Sequence, residues 1–197
     1  MKLKRILHYA HDLIEQTLKE GDVAVDGTCG NGHDTVHLCR LVGSSGHVYG
    51  YDIQHQAIEN TLERLNTHNL SDRATILQIS HDEIKATIPE DDLARLKAAI
   101  FNLGYLPGSD KQVVTTPEVT IRSVKTLLYH LNKGGIIVVV VYHGHPGGGD
   151  EKDALLQYVQ SLDQKTYSVL QYGFINQKNT PPFIIAIEKK QLGMQRL

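Results

Sequence analysis

A chain of 197 residues with a formal net charge of -2 is long enough for one α/β domain with a full core and too short for two. This near-neutral charge excludes a global positive field, so any RNA contact must come from a local patch. Two cysteines, Cys29 and Cys39, exclude a disulfide framework and a cysteine zinc site, and no apolar run is long enough to span a membrane.

The first residues, Met1-Lys-Leu-Lys-Arg5, are basic, but no continuous apolar stretch follows them, so the expectation is a cytoplasmic protein. Ile6, Leu7, Ala10, Leu13, Ile14 and Leu18 share one helical face, which predicts a first helix ending near Gly21 as its C′ glycine. Lys2, Lys4 and Arg5 read as a solvated basic terminus or as a contact for RNA phosphates.

From Val23 to Asp26 a short apolar, β-branched run predicts a buried strand with an acid at its end. Gly27, Gly30 and Gly32 then crowd a sharp turn where a ligand can approach the main chain. Past Gly32 the pattern becomes helical through Val36, Leu38, Cys39, Leu41 and Val42. A strand, a glycine turn and a helix N-terminus together make a nucleotide site. The next strand, Val48 to Asp52, ends in an acid about 20 residues beyond the turn, where ribose hydroxyls are received.

Two cofactors compete for this unit. Gly30-Asn-Gly32-His-Asp-Thr35 approaches the dinucleotide pattern, but Thr35 stands where that pattern packs a small residue. A dinucleotide brings a pyrophosphate, which wants bare amides. S-adenosylmethionine brings an ammonium, and Asp26 before the turn suits it, directly or through water. The residues favour S-adenosylmethionine, with a nicotinamide-dependent oxidoreductase as the alternative.

Ile58, Leu62 and Leu65 give another helical stripe, and Ala74 to Ile79 reads as a third strand. Ser80-His81-Asp82-Glu83 follows. Ser80 and Glu83 have capping-box spacing, while the same loop is where adenine would cross the sheet edge, against His81 or Asp82. Ala98 to Pro107 is the fourth strand with its exit loop, and Asn102 falls at the carboxyl-end crevice. A polar loop from Gly108 to Thr115 has the length of a mobile lid. Thr116-Pro117-Glu118 then opens a helix whose buried face is Ile121, Val124, Leu128 and Leu131, with Arg122 and Lys125 outside it.

Gly134-Gly135 stops that helix, and Ile136 to Tyr142 is apolar enough for a central strand. His143-Gly-His145-Pro-Gly-Gly-Gly149 leads to the last helix, Glu151 to Leu162. Tyr167 to Phe174 and Phe183 to Glu188 are strands joined by a short segment without helical pattern, which makes them antiparallel neighbours. The expected fold is α/β: a Rossmann-like, doubly wound, mostly parallel seven-stranded sheet with a C-terminal antiparallel hairpin, in one domain over residues 1–197.

These features resemble the class I S-adenosylmethionine-dependent methyltransferases over nearly the whole chain. Within that class, four stretches are similar to a small bacterial family long labelled rRNA methylases and now assigned as tRNA 5-(aminomethyl)-2-thiouridine methyltransferases. They are Asp26-Gly-Thr-Cys-Gly-Asn-Gly-His-Asp-Thr35, Phe101-Asn-Leu-Gly-Tyr-Leu-Pro-Gly108, Tyr142-His-Gly-His-Pro-Gly-Gly148 and Asn179-Thr-Pro-Pro182. The general class pattern has a glycine where Thr28 stands. The resemblance implies a methyl donor held by Asp26, Thr28, Asn31, Gly32, His33, Asp34 and Thr35. It further implies Asp52 with Gln54 for the ribose side, His81 with Asp82 for adenine, and Asn102 beside the transferable methyl. The implied partner is the anticodon stem-loop of a tRNA carrying an aminomethyl group on its wobble uridine. The class varies in oligomeric state, and a homodimer fits it. Methyltransfer to rRNA or to a small molecule stays open within the same fold.

The chemistry narrows the roles. Methyl transfer from a sulfonium to an amine is an in-line displacement governed by positioning and charge. The amine must be neutral to attack, so His143, His145 and Tyr105 are candidate proton acceptors. Asn102 has no useful pKa, but its carbonyl oxygen can orient the amine. No cysteine stands at the fourth-strand exit, which argues for transfer to a heteroatom over covalent attack on a pyrimidine ring. Lys2, Lys4, Arg5, Lys111, Arg122, Lys125 and Lys178 are the candidate RNA patch, or scattered surface charge.

Overall fold

The computed structural model describes residues 2–104 and 115–191. In chain order these form α1 (Ile6–Glu15), β1 (Val23–Asp26), α2 (His33–Val42), β2 (His47–Tyr51), α3 (His55–Thr67) and β3 (Ala74–Leu77). Two short helices follow, α4 (Ile84–Thr87) and α5 (Glu90–Leu93), and then β4 (Leu96–Leu103) and α6 (Pro117–His130). The chain closes with β5 (Ile136–Val141), α7 (Gly148–Gln160), β6 (Tyr167–Gly173) and β7 (Phe183–Lys189).

The strands make one sheet of seven in the order β3-β2-β1-β4-β5-β7-β6. The first five run parallel, and β7 lies antiparallel to both β5 and β6. The hairpin expected from the short, non-helical connection is therefore present. From β1 the chain winds outward to β2 and β3, then returns to place β4 on the other side of β1. That reversal opens a crevice above the carboxyl ends of β1 and β4, where open α/β sheets bind ligands.

Alternation along the central strands sends side chains into two cores. Ile137, Val139 and Val141 of β5 pack with Val124, Leu127 and Leu128 of α6 and Leu155 of α7. Ile136, Val138 and Val140 face α1 and α2 through Ala10, Ile14, Leu38 and Val42. Burial on both faces is why this strand reads as an unbroken apolar run.

Several boundaries differ from expectation. Helix α1 ends at Glu15, well before Gly21, because Thr17 N bonds back to Ile14 O in the tighter i→i+3 manner. Gly21, at φ 91°, turns the chain into β1 instead of capping α1. No capping box forms at Ser80: His81–Glu83 is a single 3-10 turn, and Ser80 hydrogen-bonds Asp82. The Thr116 and Pro117 start of α6 is as the sequence predicts, although the Thr116 hydroxyl makes no cap bond. No helix among the described residues is long and apolar enough to cross a membrane.

Candidate active site

The crevice above β1 and β4 has a volume of about 1030 Å³. Small-ligand pockets are roughly 300–1,000 Å³, so a nucleoside cofactor would leave room for a second reactant.

Its floor is the glycine turn. Gly30 and Gly32 take left-handed φ values of 54° and 75°, which carry the chain from β1 into α2. Gly27 lies flat against Phe101 of β4: a Cβ there would stand 2.1 Å from a ring carbon. Thr28 ties the turn to β4, its hydroxyl accepting from the Asn102 amide at 2.7 Å. Asn31 lines the wall and is held from α3, where Asn60 donates to its side-chain oxygen at 2.9 Å and Arg64 to its carbonyl at 2.6 Å. Gly32 packs against Thr61, away from the crevice. His33 is exposed at the start of α2 and joins the wall.

Two residues implied as ligand contacts are turned inward. Asp26 is fully buried, and its carboxylate accepts the Thr35 hydroxyl at 2.6 Å and the Thr28 amide at 3.1 Å. Burial, with the nearby charge of Asp34, raises its pKa to about 7. Both oxygens are committed beneath the turn, so Asp26 and Thr35 brace it and do not reach the crevice. The acid that does face it is Asp34.

Asp34 is the centre of a short chain of hydrogen bonds. His11 of α1 lies with Nε2 2.6 Å from its Oδ1, and Asn102 Nδ2 donates to its Oδ2 at 2.6 Å. Burial pushes the Asp34 carboxyl up, but the bonds from His11 and Asn102 bring it below its ordinary value. A carboxylate only accepts, so it fixes which way the Asn102 amide faces: NH2 toward Asp34, carbonyl oxygen away from it.

Asp52, just past β2, accepts the Gly30 amide on Oδ2 and the Gln54 amide on Oδ1, both at 3.0 Å. Burial raises its pKa, and the two amides oppose the shift. Ile53, 54% exposed, and Gln54 stand beside it in the wall, the first offering an apolar face to a flat ring. His81 is buried in the wall opposite, edge-on to Phe101 with centroids 5.4 Å apart. Burial lowers its pKa to about 4, and its Nε2 has no hydrogen-bond partner of good geometry. Asp82 is not in the crevice wall, and its Oδ2 accepts from Arg122 at 2.7 Å.

Of the proposed proton acceptors, His143 and His145 both line the crevice, and Tyr105 lies outside the described residues. His143 Nε2 is 3.2 Å from the Pro181 carbonyl, which can only accept, so Nε2 is the donor of that pair. His145 Nδ1 lies 3.0 Å from the Pro146 carbonyl in the same way. Three of the candidate basic residues have partners within the chain. Lys4 pairs with Asp12, Arg122 with Asp82, and Lys125 lies over the Tyr158 ring, while Lys111 falls outside the described residues.

Wall residues not named as site candidates include His11, Tyr142, Asn179 and Thr180. No spacing rule connects position 11 with position 34. Asn179 and Thr180 have left-handed φ values of 63° and 49°, strain that non-glycine residues carry mostly at functional sites. The Asn179-Thr-Pro-Pro182 stretch was the available signal.

Comparison with known proteins decides the family. Residues 48–188 match the family described as "Putative rRNA methylase". The chain belongs to this family. It is an S-adenosylmethionine-dependent RNA methyltransferase, and S-adenosylmethionine is its cofactor. A chloroplastic tRNA (mnm(5)s(2)U34)-methyltransferase of Arabidopsis thaliana is 31% identical, over 95% of this chain and 70% of that one. A crystal structure of a "putative rRNA-methylase" from Clostridium thermocellum is 43% identical with a TM-score of 0.91, covering 96% of this chain and all of that one. A methyltransferase of Streptococcus mutans, solved in complex with SAH, is 39% identical with a TM-score of 0.86, over 95% of this chain and 99% of that one. An O-methyltransferase of Thermotoga maritima, at 20% identity and TM-score 0.60, shares the fold alone, over 97% of this chain and 69% of that one.

The methyltransferase fits its cofactor by its own geometry. Gly27 leaves main chain open beside Phe101, Asp52 stands at the end of β2, and the unmatched Nε2 of His81 awaits a polar partner. Gly27, Thr28, Gly30, Asn31, Asp52, Ile53, Gln54 and His81 would hold the nucleoside end, with His33 and Asp34 toward the charged amino-acid end.

Proposed function

We propose that this methyltransferase converts 5-aminomethyl-2-thiouridine at the tRNA wobble position to 5-methylaminomethyl-2-thiouridine. The Arabidopsis relative carries that specificity in its name, and the match extends over nearly the whole of this chain. The observation that carries the reading in the molecule itself is Asn102. It sits at the end of β4 in the crevice wall, with its amide NH2 committed to Asp34 and its carbonyl oxygen left to receive an N–H. Cys29 and Cys39, the only two cysteines in the chain, are both buried, so neither supports covalent attack on a pyrimidine carbon.

S-adenosylmethionine, when bound, supplies a methyl group on a sulfonium. An alkylamine has a pKa near 10.4 as in lysine, so the substrate enters as its minor neutral form after losing a proton. His143 Nδ1 is the acceptor within the crevice, and solvent at the mouth is its outlet. The Asn102 carbonyl takes one amine hydrogen and turns the nitrogen lone pair toward the methyl. As the N–C bond forms, the S–C pair returns to sulfur, and the new ammonium releases its extra proton to water. Charge is neither created nor destroyed in the displacement, so alignment is what the protein contributes.

The partner in this reading is the anticodon stem-loop, presenting a base that leaves its stack to enter the crevice. The protein works in the cytoplasm, alone or as a homodimer; light scattering distinguishes the two. The deciding experiment is the nucleoside profile of tRNA and rRNA from cells lacking the gene. Accumulation of 5-aminomethyl-2-thiouridine is expected. An unchanged tRNA profile with a methyl group missing from rRNA would transfer the activity to rRNA.

A further inference from the structure

One polar side chain of the crevice is absorbed neither by the cofactor nor by the amine. His11 projects from α1, the helix packed against β5 and β7, and reaches Asp34 of α2. Its ring stacks on His37, with centroids 4.3 Å apart and planes inclined by 20°. The imidazole is therefore fixed by stacking in its plane and by a hydrogen bond at its tip. Glu15 and Asp12 on α1, His37 on α2, Tyr142 after β5 and the buried Asp26 of β1 are other titratable groups around the pair.

We propose that His11 is a positioning residue for methyl transfer, holding Asp34 so that Asp34 holds the Asn102 amide with its carbonyl oxygen facing the substrate nitrogen. The chain of contacts is direct: His11 Nε2 to Asp34 Oδ1 at 2.6 Å, and Asn102 Nδ2 to Asp34 Oδ2 at 2.6 Å. Without His11, Asp34 has one fixed partner instead of two, and its carboxylate can rotate. Asn102 still turns its NH2 to Asp34, but the oxygen it donates to is no longer fixed in place, so the amide and its carbonyl oxygen swing with the carboxylate. A carbonyl oxygen displaced from the substrate nitrogen no longer turns the lone pair toward the methyl. The backbone of Asn102 stays in place, since its amide is tied to the Thr28 hydroxyl at 2.7 Å. The loss is one of orientation, with the site otherwise intact.

This inference rests on the amine-methylating reading, and the test separates the two. The variants are His11→Ala, which removes the contact, and His11→Gln, whose amide nitrogen can replace Nε2 as a donor to Asp34. In the first arm, wild type and variants are assayed on tRNA bearing 5-aminomethyl-2-thiouridine, with S-adenosylhomocysteine binding measured by calorimetry. His11→Ala should lower kcat by roughly 10- to 100-fold, as for loss of an orienting partner, a larger factor than any weakening of cofactor binding through Asp34. His11→Gln should recover most of kcat. In the second arm, which needs no substrate, the Asn102 side-chain amide is followed by NMR and assigned by its loss in Asn102→Ala. In wild type and His11→Gln the proton bonded to Asp34 should be shifted downfield and slow to exchange with solvent, and in His11→Ala it should move toward the shift and exchange rate of a free amide. Unchanged Asn102 signals in His11→Ala overturn the proposal, as does a His11→Gln enzyme no better than His11→Ala. A wild-type enzyme inactive on this tRNA refutes the substrate reading, and the NMR arm still decides the role of His11.

Discussion

The contact between Gly27 and Phe101 gives the most quantitative prediction. A Cβ at position 27 would lie 2.1, 2.3 and 2.8 Å from three carbons of the Phe101 ring. Ordinary van der Waals contact begins at 3.4 Å, so the ring must retreat by about 1.3 Å. It has nowhere to go without cost. Phe101 is fully buried, its strand is paired on both sides by β1 and β5, and the ring meets the edge of His81. Overpacking of this kind costs about 1–3 kcal/mol. For a chain of this size that is a loss of roughly 2–12 °C in Tm. The moving ring also carries the wall: His81 lies against it, and Asn102 follows it in sequence. Gly27→Ala should therefore bind S-adenosylhomocysteine at least about tenfold more weakly, equivalent to one 1.4 kcal/mol step. The assay is a double-mutant cycle by thermal unfolding and calorimetry, with Gly27→Ala, Phe101→Leu and the pair. Because leucine vacates the space, Gly27→Ala should cost less in the Phe101→Leu background than alone. Strict additivity, or a Gly27→Ala protein with unchanged Tm and affinity, would refute the close-approach argument.

Three further outcomes follow from the same geometry. Asp52→Ala removes the acceptor of two backbone amides, so cofactor affinity should fall by about 10- to 100-fold in calorimetry, at 1.5–3 kcal/mol for a charged hydrogen bond; an unaffected affinity would show that Asp52 does not serve the ribose side. Asn102→Ala should leave binding of S-adenosylhomocysteine within about threefold and reduce kcat by roughly 100-fold in single-turnover assays, since only alignment is lost. The His11–Asp34 pair should stabilise the fold in a defined pH window. The His11 pKa is raised by its hydrogen bond to Asp34, so its contribution is complete below the unfolded value near 6.5 and fades as pH rises through the folded value. The Asp34 pKa is lowered on balance, so its part is present above about 3.9 and fades as pH falls through the folded value. The Tm gap between wild type and His11→Ala should thus be widest between about pH 4 and 6.5 and shrink in alkali, and a gap independent of pH would deny the pair its charge.

The fold was legible because its signals are local. Periodicity placed the strands, the glycine cluster placed the turn, and the short, non-helical segment before Phe183 revealed the antiparallel ending. Which face of the turn a side chain takes is not local information. Asp26 sits where a cofactor acid is expected, yet Thr35, nine residues on, swings beneath the turn and takes one of its oxygens. Asp82 likewise looked free beside His81, and only the packing of α6 brings Arg122 to it. His11 was invisible for the same reason in stronger form. It contributes to the crevice only because α1 packs across β5 and meets α2, a long-range contact that no spacing in the chain encodes.

In the proposed reaction this crevice carries a methyl group to the exocyclic nitrogen of a wobble uridine. The most direct test incubates the purified protein with deuterium-labelled S-adenosylmethionine and tRNA bearing 5-aminomethyl-2-thiouridine, then digests the tRNA and fragments its nucleosides by mass spectrometry. The labelled methyl is expected on the aminomethyl nitrogen of that nucleoside. Label on a ring carbon or a ribose oxygen, or no label in the tRNA at all, would contradict it.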